Sequence, residues 1–237
     1  MPSCDALTEV RQHMAEAAQR AGRRADTVRL VAVSKRQPLE AIETLIACGQ
    51  TDFGENQVQE ALDKIGRLST QPVNWHFIGH LQSNKTRHIG GHFNWVHTVD
   101  SVKLARRIDT SAREAGRCVN LLLQVNVSGD PAKHGIAEDD LMPMIDAILE
   151  QRLEAIRLRG LMTIGYRDAA ETETRRSFSR LRELLESCRN RYGADFSELS
   201  MGMSHDYALA IEEGATLVRV GSALFGERPD QARFSNT

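Results

Sequence analysis

The chain has 237 residues, of which 41% are hydrophobic and 26% charged, with a formal net charge of −2. These are ordinary values for a globular chain, and the length suits a single large domain. The scattered, nearly balanced charge excludes the basic footprint of a nucleic-acid binder, and an aromatic content of 5% excludes a base-stacking surface.

Cys4, Cys48, Cys118 and Cys188 stand apart from one another with no CxxC pair. Such spacing argues against zinc ribbons and thioredoxin motifs, and free thiols in a reducing cytosol are expected. Met1-Pro2-Ser3-Cys4-Asp5 has no basic segment followed by an apolar one, and no apolar run is long enough for a bilayer. A cytoplasmic protein without secretory signal or membrane span is expected.

Along the chain, Leu7, Val10, Met14, Ala17 and Ala21 recur at helical spacing, so Ser3 to Ala21 reads as a helix capped by Ser3 or Asp5 and ended by Gly22. An alternation of strands and helices follows. Strand Leu30–Ser34 leads to a helix from Pro38, closed by Gly49. Strand Thr51–Gly54 leads to a helix carrying Val58, Ala61, Leu62, Ile65 and Leu68. Strand Trp75–Gly79 precedes a short helix around Asn84 to Ile89, and strand Trp95–Val99 precedes a helix from Ser101 to Ala115. Strand Asn120–Val127 leads to a helix from Glu138 to Glu150, and the segment Ile156–Ile164 holds a sixth strand. The longest helix spans Glu171 to Tyr192. Strand Leu199–Met201, a helix from Ser204 to Glu213 and strand Leu217–Val220 complete the series. With neither repeat nor linker, residues 1–237 read as one domain. About eight such units predict an α/β fold, a closed (β/α)8 TIM barrel with an extra N-terminal helix, ahead of an open doubly wound sheet.

In such a barrel, functional groups project from the carboxyl ends of the strands. The apolar run Leu30-Val31-Ala32-Val33 ends in Ser34-Lys35, so a lone ammonium stands where a cleft can begin. A lysine just past a strand ordinarily snorkels to solvent. It acquires a chemical reading, a Schiff base to a phosphorylated aldehyde, where the chain also supplies a phosphate cradle, a partner for a ring and walls against water. Two small-residue turns offer the cradle. Met201-Gly202-Met203-Ser204 follows strand seven, where Gly202 allows close backbone approach and Ser204 can cap the next helix. Gly221-Ser222-Ala223 follows strand eight. Arg219 interrupts an apolar strand, and alternation turns it inward if Val218 and Val220 face the helices. A buried guanidinium needs a partner, which a ring nitrogen, a phosphate or an interior carboxylate would each provide.

Other signals carry less. Ser204-His205-Asp206 contains triad residue types, but adjacency in sequence does not build a triad, and it reads as a helix cap with an acidic first turn. His88 and His92 are separated by Gly90-Gly91, which should break a helix there. His76 and His80 flank a strand end, where one could line the cleft. No ligand pattern completes a metal site, and none is expected.

Ala32-Val33-Ser34-Lys35, Phe53-Gly54-Glu55-Asn56 with Val58-Gln59-Glu60, His76-Phe77-Ile78-Gly79-His80-Leu81-Gln82-Ser83-Asn84-Lys85, Gly160-Leu161-Met162-Thr163, Ser200-Met201-Gly202-Met203-Ser204 and Arg219-Val220-Gly221-Ser222-Ala223-Leu224-Phe225-Gly226 together resemble the pyridoxal phosphate homeostasis protein family, relatives of the alanine racemase N-terminal barrel. The resemblance runs from about Val28 to Gly226. It implies pyridoxal 5'-phosphate on Lys35, phosphate held by Ser204, Gly221 and Ser222, Asn56 near the cofactor, and Arg219 facing the pyridine nitrogen. Arg36-Gln37, Gln57 and Ser222 depart from the family's frequent residues, and Ser222 keeps the hydroxyl of the usual Thr.

The resemblance implies vitamin B6 homeostasis without robust catalysis and with no catalytic residues. PLP-dependent apoenzymes are possible recipients, and neither nucleic acid nor membrane is a partner. The chain ends soon after strand eight, and a one-sided site is poorly equipped to move an α-proton between faces. A monomer is expected, since no long exposed apolar stripe demands a dimer. The rivals are a racemase-like pyridoxal enzyme and a metal-dependent barrel hydrolase.

Overall fold

The computed structural model describes residues 2–128, 134–166 and 169–226. Eight parallel strands close into a barrel in chain order. They are β1 (Arg29–Val33), β2 (Asp52–Glu55), β3 (Asn74–Phe77), β4 (Trp95–Val99), β5 (Val119–Gln124), β6 (Ile156–Met162), β7 (Glu198–Met203) and β8 (Leu217–Val220). The closing pair sets Val31 opposite Arg219 and Ala32 opposite Val220. The expected (β/α)8 barrel forms, and the open sheet is excluded because β8 returns to β1.

The helices are α1 (Cys4–Arg20), α2 (Leu39–Ala47), α3 (Val58–Arg67), α4 (Ile89–His92), α5 (Val102–Glu114), α6 (Leu141–Glu150), α7 (Glu171–Tyr192), α8 (Tyr207–Glu212) and α9 (Ser222–Phe225). Ser3 caps α1 as expected, its hydroxyl accepting from the Ala6 N–H at 3.2 Å. Three local expectations change. Gly90 and Gly91 lie inside α4 and do not break it. Helix α8 begins only at Tyr207, because Met203 N–H donates to Asp206 Oδ1 at 2.6 Å and closes residues 203–206 into a turn. The residues after β8 form a one-turn helix, α9, where only a turn was expected.

Strand alternation divides the interior into two layers. Val31, Trp95, Leu122, Met162 and Leu217 meet inside the barrel as a separate cluster. Their neighbours in sequence, such as Ala32, Val96, Leu121, Leu161 and Val218, pack outward against helix residues including Ile42, Leu45, Ile108 and Phe178. Each such large buried side chain is worth roughly 1.5–3 kcal/mol of transfer free energy. The amino end of the barrel is plugged by Arg29, which pairs with Glu198 at 3.0 Å and lies 4.7 Å from the centroid of Trp95.

The expectation of four free thiols is corrected. Cys4, at the start of α1, and Cys48, just past α2, form a disulfide across a Cα separation of 5.4 Å. A sequence separation of 44 gave no sign that the two helix ends meet. Cys118 and Cys188 remain thiols, and cysteine usage no longer argues for a reducing compartment. Thiol titration of the unfolded, unreduced protein is expected to count two of the four cysteines, and all four only after reduction. A count of four without reduction would refute the pairing.

Candidate functional site

The carboxyl ends of four adjacent strands, β7, β8, β1 and β2, carry the residues singled out from the sequence. Val33 pairs with Gly54. Lys35 lies two residues beyond Val33 and Asn56 two beyond Gly54, so both share the inward phase of Val31. Both are half-buried. Asn56 Oδ1 is buried without a hydrogen-bond partner among the described residues. Its backbone is pressed against Gly79, where an added Cβ would lie 2.2 Å from the Asn56 carbonyl oxygen.

Helix α3 fixes the turn that bears Lys35. Lys64 Nζ donates to the Ser34 carbonyl at 2.8 Å, to Glu55 Oε1 at 2.8 Å and to Glu60 Oε1 at 2.7 Å. Ser34 Oγ donates to the same Glu55 oxygen at 2.7 Å. The Arg36 N–H donates to Glu60, and Arg36 takes a φ of 59°, a left-handed conformation uncommon for a side-chain-bearing residue. Glu55 lies on the outward phase with Phe53, fully buried between sheet and helix. Burial pushes its carboxyl up, against the opposing pull of Lys64 and of the Ser34 hydrogen bond.

The turns after β7 and β8 are joined: the Gly221 N–H donates to Ser204 Oγ at 3.1 Å. Ser204 therefore ties two loops together and does not cap α8, whose N-cap is Asp206. Gly202 has φ +90°, and an added Cβ would lie 2.5 Å from Ala210 Cβ. The close approach it permits is that of α8. Ser222 opens α9 and is exposed.

Arg219 points inward and is 4% exposed. Its guanidinium donates to Ser200 Oγ at 2.6 Å and to the Thr163 carbonyl at 2.8 Å. Burial pushes its pKa down to about 10. Of the partners open to it, an interior carboxylate is not the one used: none among the described residues lies in ion-pair range. Behind Ser200 a polar string crosses the barrel. Ser200 Oγ is 2.8 Å from His97 Nδ1, His97 Nε2 is 2.9 Å from His76 Nδ1, and His76 Nε2 is 2.9 Å from Asp52 Oδ1. Both imidazoles are fully buried, and burial holds both below the usual histidine range. Burial works against the Asp52 anion, yet the bond to His76, the Thr51 hydroxyl and the Arg29 charge keep its carboxyl low. His80, by contrast, is exposed and stacks on His134 at 4.4 Å.

Residues 6–229 match the family described as alanine racemase, N-terminal domain. The pyridoxal phosphate homeostasis protein of Pseudomonas aeruginosa is 48% identical over 94% of this chain and 94% of its own. PipY of Synechococcus elongatus PCC7942, solved with PLP bound, is 40% identical, covers 90% of this chain and 100% of its own, and superposes with a TM-score of 0.79. The chain belongs to the pyridoxal phosphate homeostasis protein family. The alanine racemase of Streptomyces coelicolor A3(2), at 19% identity and a TM-score of 0.70, shares the fold over 96% of this chain and 60% of its own.

In this family member the residues fit a phosphorylated aldehyde. Among the described residues, a buried cation has no carboxylate in ion-pair range and a buried amide oxygen has no donor, and an amine stands at the same mouth. Sequence reading brought Lys35, Asn56, Ser204, Arg219, Gly221 and Ser222 to one end of the barrel, where the structure also has them. It missed Lys64, His97 and Asp52, and named His76 only as a residue that could line the cleft. Spacing held one clue, since Glu60 and Lys64 are four apart on one helix face; the alternation that turns Arg219 inward does the same for Trp95 and His97.

Replacing Lys64 by Met leaves the buried Glu55 carboxylate without its cation, and a loss of about 3–5 kcal/mol is expected at pH 8. Removing Lys64 raises the folded Glu55 carboxyl further. A raised group contributes stability below its unfolded pKa and loses it as pH rises through the folded value. The penalty against wild type is therefore expected to be smaller at pH 5 than at pH 8 in urea unfolding. A pH-independent penalty would sink this account of Glu55.

Proposed function

We propose that this chain binds pyridoxal 5'-phosphate and acts in its homeostasis as a carrier, without a robust catalytic reaction. The observation that carries the reading is the juxtaposition on β8, β1 and β2: Lys35, Asn56 and Arg219 on the inward phase, beneath two loops joined by Ser204. The named relatives, and PipY with its bound PLP, support the same ligand. When bound, this group supplies an electrophilic carbonyl that an amine captures with loss of water.

Lys35 is the anchoring amine, held in place through Ser34 and Arg36 by Lys64 and Glu60. Asn56 offers its orphaned oxygen to a donor on the ring. Ser204, Gly221 and Ser222 face the phosphate. Arg219 faces the ring nitrogen; a fixed positive charge there disfavours a protonated pyridine, the better electron sink. That restraint, together with a site built from one wall of the barrel, favours storage and release over carbanion chemistry. Apoenzymes that require the cofactor would be its recipients. No helix among the described residues is long and apolar enough to cross a membrane. A monomer fits the described surface, where Leu149 and Ile164 are the large hydrophobics exposed.

The purified protein is expected to be yellow after incubation with pyridoxal phosphate, and to lose its visible band on borohydride reduction with the label on the Lys35 peptide. Lys35→Ala should stay colourless. Label on another lysine, or none, overturns the binding reading. Racemisation of alanine at about 1 per second or faster overturns the non-catalytic part alone.

A further inference from the structure

With both buried rings neutral, the string behind Arg219 has one consistent arrangement of protons. Asp52 is an anion and can only accept, so His76 carries its proton on Nε2. A neutral His76 then presents a bare Nδ1, which accepts from His97 Nε2–H. His97 in turn presents a bare Nδ1, which accepts the Ser200 hydroxyl proton. Arg219 can only donate, and it donates to the oxygen of that hydroxyl. The assignment begun from the anion thus agrees with the one begun from the cation. Every donor points the same way, from the guanidinium at the barrel mouth to the carboxylate at its amino end.

We propose that His97, His76 and Asp52 are positioning residues which, through Ser200, orient Arg219 toward the ligand. This rests on the pyridoxal phosphate reading and adds three residues that touch no ligand. The physical need is specific. A buried guanidinium is ordinarily stabilised by an adjacent carboxylate. A carboxylate placed there would cancel the positive field at the mouth and compete for the N–H groups that a ring nitrogen must meet. Here the carboxylate that ends the hydrogen-bonded string, Asp52, stands four hydrogen bonds away. Aligned hydrogen bonds polarise one another in a dry interior, so Ser200 Oγ becomes a better acceptor while the cation keeps its field. The Thr163 carbonyl fixes the second amino group and with it the plane of the guanidinium. Asp206 adds favourable charge only through space. The rings are held from the side as well: His76 stacks on Trp95 at 5.7 Å and meets His97 edge-on at 5.1 Å.

Two variants at one position separate orientation from bulk. In His97→Gln, the amide oxygen can accept from Ser200 and the amide N–H can donate to His76, so the direction survives. In His97→Leu both links are lost. Pyridoxal phosphate affinity is expected to fall by about tenfold or more in H97L and to stay within about threefold of wild type in H97Q. With 15N-labelled cofactor, the ring-nitrogen resonance should move in H97L and not in H97Q. Equal affinity and resonance in wild type and folded H97L would overturn the proposal, as would an H97Q variant impaired as deeply as H97L.

A second measurement needs neither variant nor cofactor. Nitrogen-15 spectra of histidine-labelled apo protein near neutral pH should show His76 and His97 with protonated Nε2 and bare Nδ1. A proton on Nδ1 of either ring breaks the direction and overturns the proposal. A wild type that takes up no pyridoxal phosphate on Lys35 overturns the binding reading instead, and the apo spectra tell the two failures apart.

Discussion

One ammonium group, that of Lys64, places the amine at the mouth of the barrel. It holds the Ser34 carbonyl, the buried Glu55 and Glu60 together, and Glu60 in turn takes the Arg36 N–H. Lys35 lies between these two anchored neighbours. The turn after β1 is thus fixed from α3, an element of the helical layer, and not from the barrel interior that the side chain of Lys35 addresses. Positioning and chemistry occupy opposite faces of the same strand, which the period of two along a strand permits. The outward face can therefore be rigid and ionic whatever the inward face meets.

The barrel interior solves a related problem for Arg219. Its lower layers are apolar at Val31, Leu122, Met162 and Leu217, where a cation would be expelled. The polar string passes beside this cluster with each link saturated, which is the condition under which a buried polar network avoids a large desolvation cost. Trp95 belongs to both environments. It packs in the apolar cluster, stacks on His76 and covers Arg29. The plug at the amino end therefore bears on the string's terminal carboxylate, since Arg29 helps keep Asp52 ionised.

The fold was legible because eight apolar runs alternate with amphipathic stretches, and observed strand bounds differ from the expected ones by a few residues at most. Arg219 was legible for the same reason: a guanidinium between Val218 and Val220 has one face left to occupy. His97 obeys the same rule between Val96 and Thr98, yet a histidine within an aromatic and β-branched run passes as a strand former. The Cys4–Cys48 bond and the bond between Ser204 and Gly221 were not legible, because each joins elements whose approach follows only from closure of the barrel. Ser204 looked like a cap because Ser commonly caps helices. The Asp206 carboxylate bound the Met203 N–H instead, and delayed the helix to Tyr207.

A carrier and an enzyme built on one barrel need different things from the residue beneath the ring. Carbanion chemistry calls for an electron sink, which a protonated ring nitrogen provides and an opposed guanidinium withholds. A carrier needs a neutral ring, a reversible bond and a mouth from which the ligand can leave. An Arg219 oriented through Ser200 and His97, and not by a touching carboxylate, would meet the first requirement. Had evolution put a carboxylate in direct contact with that nitrogen, it would have favoured the protonated ring. The string behind Arg219 thus leaves the guanidinium free of a touching carboxylate at the point where a ring nitrogen would meet it.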